Sequence, residues 1–199
     1  MKLITKLFGH TYQFKDIKQV LAKANELKSG DISAGIAAED AAERIAAKIV
    51  LSELTLEDLR KNPVVPAEID EVTRIIESDV NETIYSDIKN WSVAQLREYI
   101  LNTETSGDQI KRISRGMTSE MVAATAKLMS NLDLILGASK IKITAHCNTT
   151  IGLPGTLASR LQPNHTTDSP EGILASMREG LSYGTGDAII GLNPVDDSV

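Results

Sequence analysis

Three polar side chains in the last quarter of the sequence, Arg160, Gln162 and Asn193, have the types and spacing to hold a small substrate. Arg is a rigid cationic fork, while Gln and Asn each carry a donor and an acceptor; none is an effective base or nucleophile at neutral pH. Such a set orients a small polar molecule and leaves the reactive step to a cofactor or to groups elsewhere. Residues 156–162 read as a strand, in which positions two apart share a side, so Arg160 and Gln162 project together and Leu161 faces away. Asn193 follows the next apolar run, 187–192, and Pro163 and Pro194 stop the two strands in turn. Polar residues at strand ends are also common as ordinary partners for backbone groups, and spacing alone leaves both readings open.

The elements around these residues explain why they should meet. Pro170-Glu-Gly-Ile opens a helix reaching about Leu181, between the two apolar runs. Strand, helix and strand form a βαβ unit, which demands parallel pairing, and a right-handed crossover sets the strand ends side by side. Arg160, Gln162 and Asn193 would then converge on the rim where α/β barrels and open α/β sheets bind substrates. Just upstream, 141–144 alternates like a short strand and 148–155 is a turn-rich connection.

Residues 1–140 read as a helical region. Phe14, Ile17, Val20, Leu21 and Ala24 form one amphipathic stripe. Residues 32–54 divide into two helices, the second over 41–52, with Asp40-Ala-Ala-Glu43 as a capping box. Thr55-Leu-Glu-Asp58 opens a short helix that Asn62-Pro63 ends. Pro66 is placed at the start of a longer helix over 67–90, with a stripe through Ile69, Val72, Ile75, Ile76, Val80, Ile84 and Ile88. Ser92-Val-Ala-Gln95 caps the next, to about Leu101, and 106–114 and 119–129 follow with Gly116 as the stop between them. These stripes read as core and subunit-packing faces.

Composition narrows the class. The chain has 199 residues, 42% hydrophobic and 24% charged, ordinary values for a globular protein. Its net charge of −6 with scattered basic residues, and 4% aromatics, argue against a nucleic-acid binder. No apolar run approaches the roughly 20 residues of a membrane span. The start breaks at Gly9-His10 without a cleavage site, and one cysteine, Cys147, precludes an internal disulfide framework, so the expectation is a cytoplasmic protein. His146, Cys147 and His165 lack the tight spacing of a metal site, and no metal is expected. Cys147 has no argued triad, and Gly184-Thr-Gly186 leads into a strand rather than a helix, which fails a dinucleotide fingerprint.

Several stretches together resemble a known family. Asn148-Thr-Thr-Ile-Gly-Leu-Pro-Gly-Thr156, Arg160-Leu-Gln-Pro-Asn164 and Gly186-Asp-Ala-Ile-Ile-Gly-Leu-Asn-Pro194 are similar to the large subunit of ethanolamine ammonia-lyase. Leu7-Phe-Gly9, Tyr12-Gln-Phe-Lys15, Val20-Leu-Ala-Lys-Ala-Asn-Glu26, Ser29-Gly-Asp31, Asp79-Val-Asn-Glu82 and Ile88-Lys-Asn-Trp91 continue the likeness across the chain. The first strand departs slightly: Gly155-Thr-Leu-Ala-Ser-Arg160 stands where the family has Gly-Thr-Phe-Ser-Ala-Arg.

The resemblance implies an adenosylcobalamin-dependent lyase converting ethanolamine to acetaldehyde and ammonia by a radical route. It implies an α/β fold in which the helical region precedes a (β/α)₈ TIM barrel. The cofactor is held at the interface with a separate small subunit, and large subunits form a homo-oligomer, in the cytoplasm or a bacterial microcompartment. Arg160 and Gln162 would bind the substrate hydroxyl region and Asn193 would help hold the amino end. A barrel needs about 250 residues, so 141–199 would supply only its first two strands. The carboxylates that grip the ammonium and most cobalamin contacts come from later strands, so no catalytic residue is expected here and the chain alone is expected to be inactive. The competing expectation is a non-catalytic helical oligomerisation module, with the βα tail incidental.

Overall fold

The chain opens on a hairpin, which the helical reading of the first 140 residues did not include. In the computed structural model, which describes residues 2–146, 150–163, 169–185 and 189–190, β1 (Ile4–Leu7) pairs antiparallel with β2 (His10–Gln13). The two-residue turn places Phe8 and Gly9 at φ 51° and 82°, the mirrored turn whose twist suits adjacent strands. Phe14 extends the ladder by donating its N–H to the Leu3 carbonyl at 2.9 Å.

Two compact units follow from the contacts, Met1–Ile141 and Lys142–Val199. In the first, ten helices follow the hairpin among the described residues: α1 (Ile17–Lys23), α2 (Ser29–Ser33), α3 (Ala41–Glu53), α4 (Leu56–Lys61), α5 (Glu71–Asp79), α6 (Glu82–Ile88), α7 (Val93–Leu101), α8 (Gly107–Ser114), α9 (Ser119–Lys127) and α10 (Asn131–Lys140). The amphipathic stripe of α1 packs on α3, whose Ala46, Ala47, Val50 and Leu51 are buried and which also meets β1 and α7. Alanines at this crossing let the helix axes approach closely. Leu56, Leu59, Ile88, Val93, Leu96 and Met121 complete the core, each fully buried aliphatic side chain contributing about 1.5–3 kcal/mol. α4 and α7 start side by side: Leu56 N–H donates to Trp91 O at 2.9 Å and Val93 N–H to Leu54 O at 2.9 Å.

Caps set most of these boundaries. Ser92 with Gln95 forms a reciprocal capping box, as the sequence predicts, and Thr55 with Asp58 forms another at the start of the short helix expected there. The box at Asp40 is only half made. Asp40 accepts from Glu43 N–H, but the Glu43 carboxylate bonds Glu39 N–H and Lys23 Nζ instead of reaching back. The single helix expected over 67–90 is two. Asp70 caps α5, Asn81 caps α6 by accepting from Ile84 N–H, and Pro66 lies in a turn ahead of both. A continuous apolar stripe did not reveal the break because Asn81 N–H is taken by Arg115 O, a partner distant in sequence. α10, capped by Ser130 and Asp133, was not anticipated.

In the second unit, β3 (Ala145–His146) pairs antiparallel with β4 (Thr150–Ile151). The strand expected over 141–144 therefore lies further along: alternation marks a candidate, and a partner ladder decides which residues pair. β5 (Arg160–Leu161) is parallel to β6 (Ile189–Ile190), with α11 (Pro170–Ser182) between them in sequence. The fold is thus mixed α/β, mostly helical with short strands. Among the described residues no helix is long and apolar enough to cross a membrane.

Candidate functional site

Parallel register sets the frame of the site: Arg160 lies opposite Ile189 and Leu161 opposite Ile190. α11 starts with Pro170 in its first turn and Ser169 as cap, its hydroxyl accepting from Gly172 N–H at 3.3 Å. Leu161 faces this helix. A Cβ added at Gly180 would lie 2.4 Å from Leu161 Cδ1, so the absent side chain is what admits the strand. Period two then turns the neighbours outward: Arg160 and Gln162 are exposed and Leu161 is half-buried, while Pro163 is buried and ends the segment. Neither polar side chain makes a side-chain hydrogen bond among the described residues. Asn193, the third residue singled out from sequence, lies outside the described residues.

Arg160 contrasts with the best-engaged cation of the first unit. Arg60 donates Nε–H to Glu77 at 2.8 Å and its two terminal nitrogens to Glu82 at 2.6 and 3.1 Å, with its guanidinium 4.3 Å from the centre of the Tyr85 ring. Hydrogen bonding to Glu82 raises its already high pKa. All its recognition capacity is used to tie α4 to α5 and α6. Arg160, by contrast, is exposed and has no such partners among the described residues.

Other sequence candidates have local explanations. His146 Nδ1 lies 2.7 Å from Thr150 Oγ1, a contact that closes the β3–β4 hairpin. Among the described residues no group of three or more His, Cys, Asp or Glu could hold a metal; Cys147 and His165 lie outside them. Gly184, at φ 73°, ends α11 by donating to Leu181 O, and among the described residues after it the element that follows is the strand β6. Sequence reasoning missed a cleft in the first unit that contains Lys127. The residue reads there as an ordinary basic side chain in the last turn of a helix, and its burial depends on tertiary packing.

The comparisons with known proteins add identity to this geometry. Residues 12–199 match the family model for the ethanolamine ammonia lyase large subunit (EutB). The chain is 60% identical over 199 residues to the ethanolamine ammonia-lyase large subunit of Escherichia coli (strain K12), covering all of this chain and 44% of that protein. It is 59% identical to the counterpart of Salmonella typhimurium (strain LT2), again over all of this chain and 44% of the relative. The chain therefore spans less than half the length of the curated relatives it matches.

Proposed function

This chain belongs to the ethanolamine ammonia-lyase large-subunit family, and from that premise we propose that it provides the substrate-orienting part of an ammonia-lyase site. The proposed reaction of the assembled enzyme is ethanolamine to acetaldehyde and ammonia. The observation that carries the reading is that Arg160 in β5 and Gln162 just after it are both exposed, on either side of the half-buried Leu161, with β5 paired in parallel with β6. The helical unit, on this reading, precedes a (β/α)₈ barrel of which β5, α11 and β6 are an early unit.

The roles follow from donor chemistry. The Arg160 guanidinium donates N–H bonds to the substrate hydroxyl oxygen, and the Gln162 amide either donates to that oxygen or accepts its O–H. Asn193 is proposed to accept from the substrate ammonium through its amide oxygen. No group among the three removes a proton from carbon, so this face holds and aligns the substrate. In the family, adenosylcobalamin supplies a radical that takes hydrogen from the hydroxyl-bearing carbon. A cationic fork and an amide on an exposed strand fit a small amino alcohol and do not fit the broad apolar face of a corrin. Arg160 and Gln162 are accordingly assigned to the substrate rather than to the cofactor; a small subunit and later parts of the large subunit are the proposed holders of most of the cofactor.

The test is steady-state kinetics of the full-length large subunit with its small subunit and adenosylcobalamin. Arg160→Ala is expected to raise KM and lower kcat, for a loss in kcat/KM of about 100-fold or more, the cost of removing a charge-assisted hydrogen bond that aligns the substrate. Asn193→Ala should act in the same direction. Unaltered kinetics in both would overturn the assignment.

One observation favours an additional role in assembly. On α5, Val72 and Ile75, with Ile69 just before it, and on α10, Leu132, Ile135 and Leu136 are exposed in the first unit. Apolar residues on open helix faces suit packing against other parts of a homo-oligomer. Sedimentation of the 199-residue chain checks this: an oligomer supports it, and a monomer at all concentrations removes it.

A further inference from the structure

The first unit contains a cleft of about 650 Å³ between α1, the loop after α2, and α9, a size within the range of about 300–1,000 Å³ typical of small-molecule pockets. Leu21 and Ala22, Ala123, Ile36 and Val64 make much of its wall apolar. Lys127 is the exception. It is half-buried, and its Nζ donates to Asn25 Oδ1, a neutral acceptor.

The neighbouring charges do not neutralise it. Lys23 is matched by Glu43 at 3.1 Å and Lys48 by Glu26 at 2.8 Å. Asp31 accepts from Asn25 Nδ2 at 3.2 Å, and Glu120 accepts from Val64 N–H at 2.8 Å. Lys127 forms no ion pair among the described residues. Burial disfavours its charge, and Lys28 opposes it further, against a weaker contribution from Asp31. Lys15 and Lys18, both exposed at the cleft, add positive charge, and Asp16 there accepts from Gln19 N–H at 2.8 Å and forms no ion pair with Lys127. An anion bound here would relieve this cost, because a half-buried ammonium without a counter-ion is an unsatisfied charge.

We propose that this cleft binds a small organic anion, an apolar chain ending in one carboxylate, with the head on Lys127 and the chain along Ala22, Ala123 and Ile36. A carboxylate suits the site because its oxygens accept from the Lys127 ammonium while the alkyl chain lies on the apolar wall. The site lies wholly within the first unit and does not depend on the reading of Arg160.

Sodium hexanoate and hexan-1-ol are the probes, titrated into the ¹⁵N-labelled 199-residue chain and followed by amide chemical shifts. Hexanoate should move the amides of Ala22, Ile36, Ala123 and Lys127 and bind about tenfold tighter than hexan-1-ol, the worth of one charge-assisted hydrogen bond. Lys127→Met should remove that advantage while leaving the alcohol's affinity unchanged. Ala123→Phe, which fills the cleft, should weaken both ligands with helix content retained by circular dichroism. Equal affinity for the two probes overturns the proposal. So do shifts confined to the exposed face of α10, or hexanoate affinity undiminished in Lys127→Met.

Discussion

Arg60 is satisfied by Glu77, Glu82 and the face of Tyr85, whereas Arg160 stands exposed on β5 with no side-chain hydrogen bond among the described residues. Glu120 is a third case, a half-buried carboxylate whose pKa is raised, first by burial and opposed by the Val64 N–H. A carboxyl with a higher pKa folded than unfolded binds more protons in the native state over that interval. The stability it contributes is therefore present below the ordinary glutamate value of 4.5 and lost as pH rises through the folded pKa. Glu120→Gln should remove that loss, so the variant melts less steeply than the parent between pH 4.5 and neutrality, as thermal melts across that interval would read. A parallel pair of profiles would mean that burial does not penalise the charge. Of these three residues only Arg160 was legible from sequence, because period two and a following proline locate it. The partners of Arg60 are 17 and 22 residues distant, and the burial of Glu120 comes from packing against a loop 56 residues away.

At the scale of elements, local chemistry was readable and long-range chemistry was not. The helix start at Thr55–Asp58 and the box at Ser92–Gln95 need only residues three apart, and both are present as expected. The break between α5 and α6 needs Arg115, and the half-made box at Asp40 reflects competition for Glu43 by Lys23, twenty residues earlier. Gly116 teaches the same lesson. The sequence suggests a helix stop, but a Cβ there would lie 2.6 Å from Tyr85 N and 2.9 Å from Ile84 C. Its function is close approach of the α8–α9 connection to α6. Gly116→Ala should therefore destabilise the chain by about 1–3 kcal/mol through overpacking, read by chemical denaturation. Unchanged or increased stability would show that the backbone yields freely. The parallel pairing of β5 and β6 was legible because a helix between two strands supplies the long crossover that parallel neighbours need.

For the whole molecule, the two units differ in what holds them. Met1–Ile141 carries nearly every buried apolar side chain named above, from Phe14 to Ala124. In Lys142–Val199, α11 has no buried residue, and Leu174 and Leu181 are among its exposed side chains. A two-strand parallel pair cannot cover both of its faces. Amide exchange of the 199-residue chain should thus be slow in α3, α4 and α7 and fast throughout α11; comparable protection in both would contradict this division. The family likeness, carried by motifs spread along the whole chain, was readable at the sequence level, while the depth of the Lys127 cleft was not. The central claim, that β5 presents substrate-orienting side chains, is tested most directly by a structure of the assembled full-length enzyme with ethanolamine bound. The account predicts that the Arg160 guanidinium and the Gln162 amide lie within about 2.7–3.2 Å of the substrate hydroxyl oxygen. A hydroxyl held by other groups, with Arg160 turned away, would contradict it.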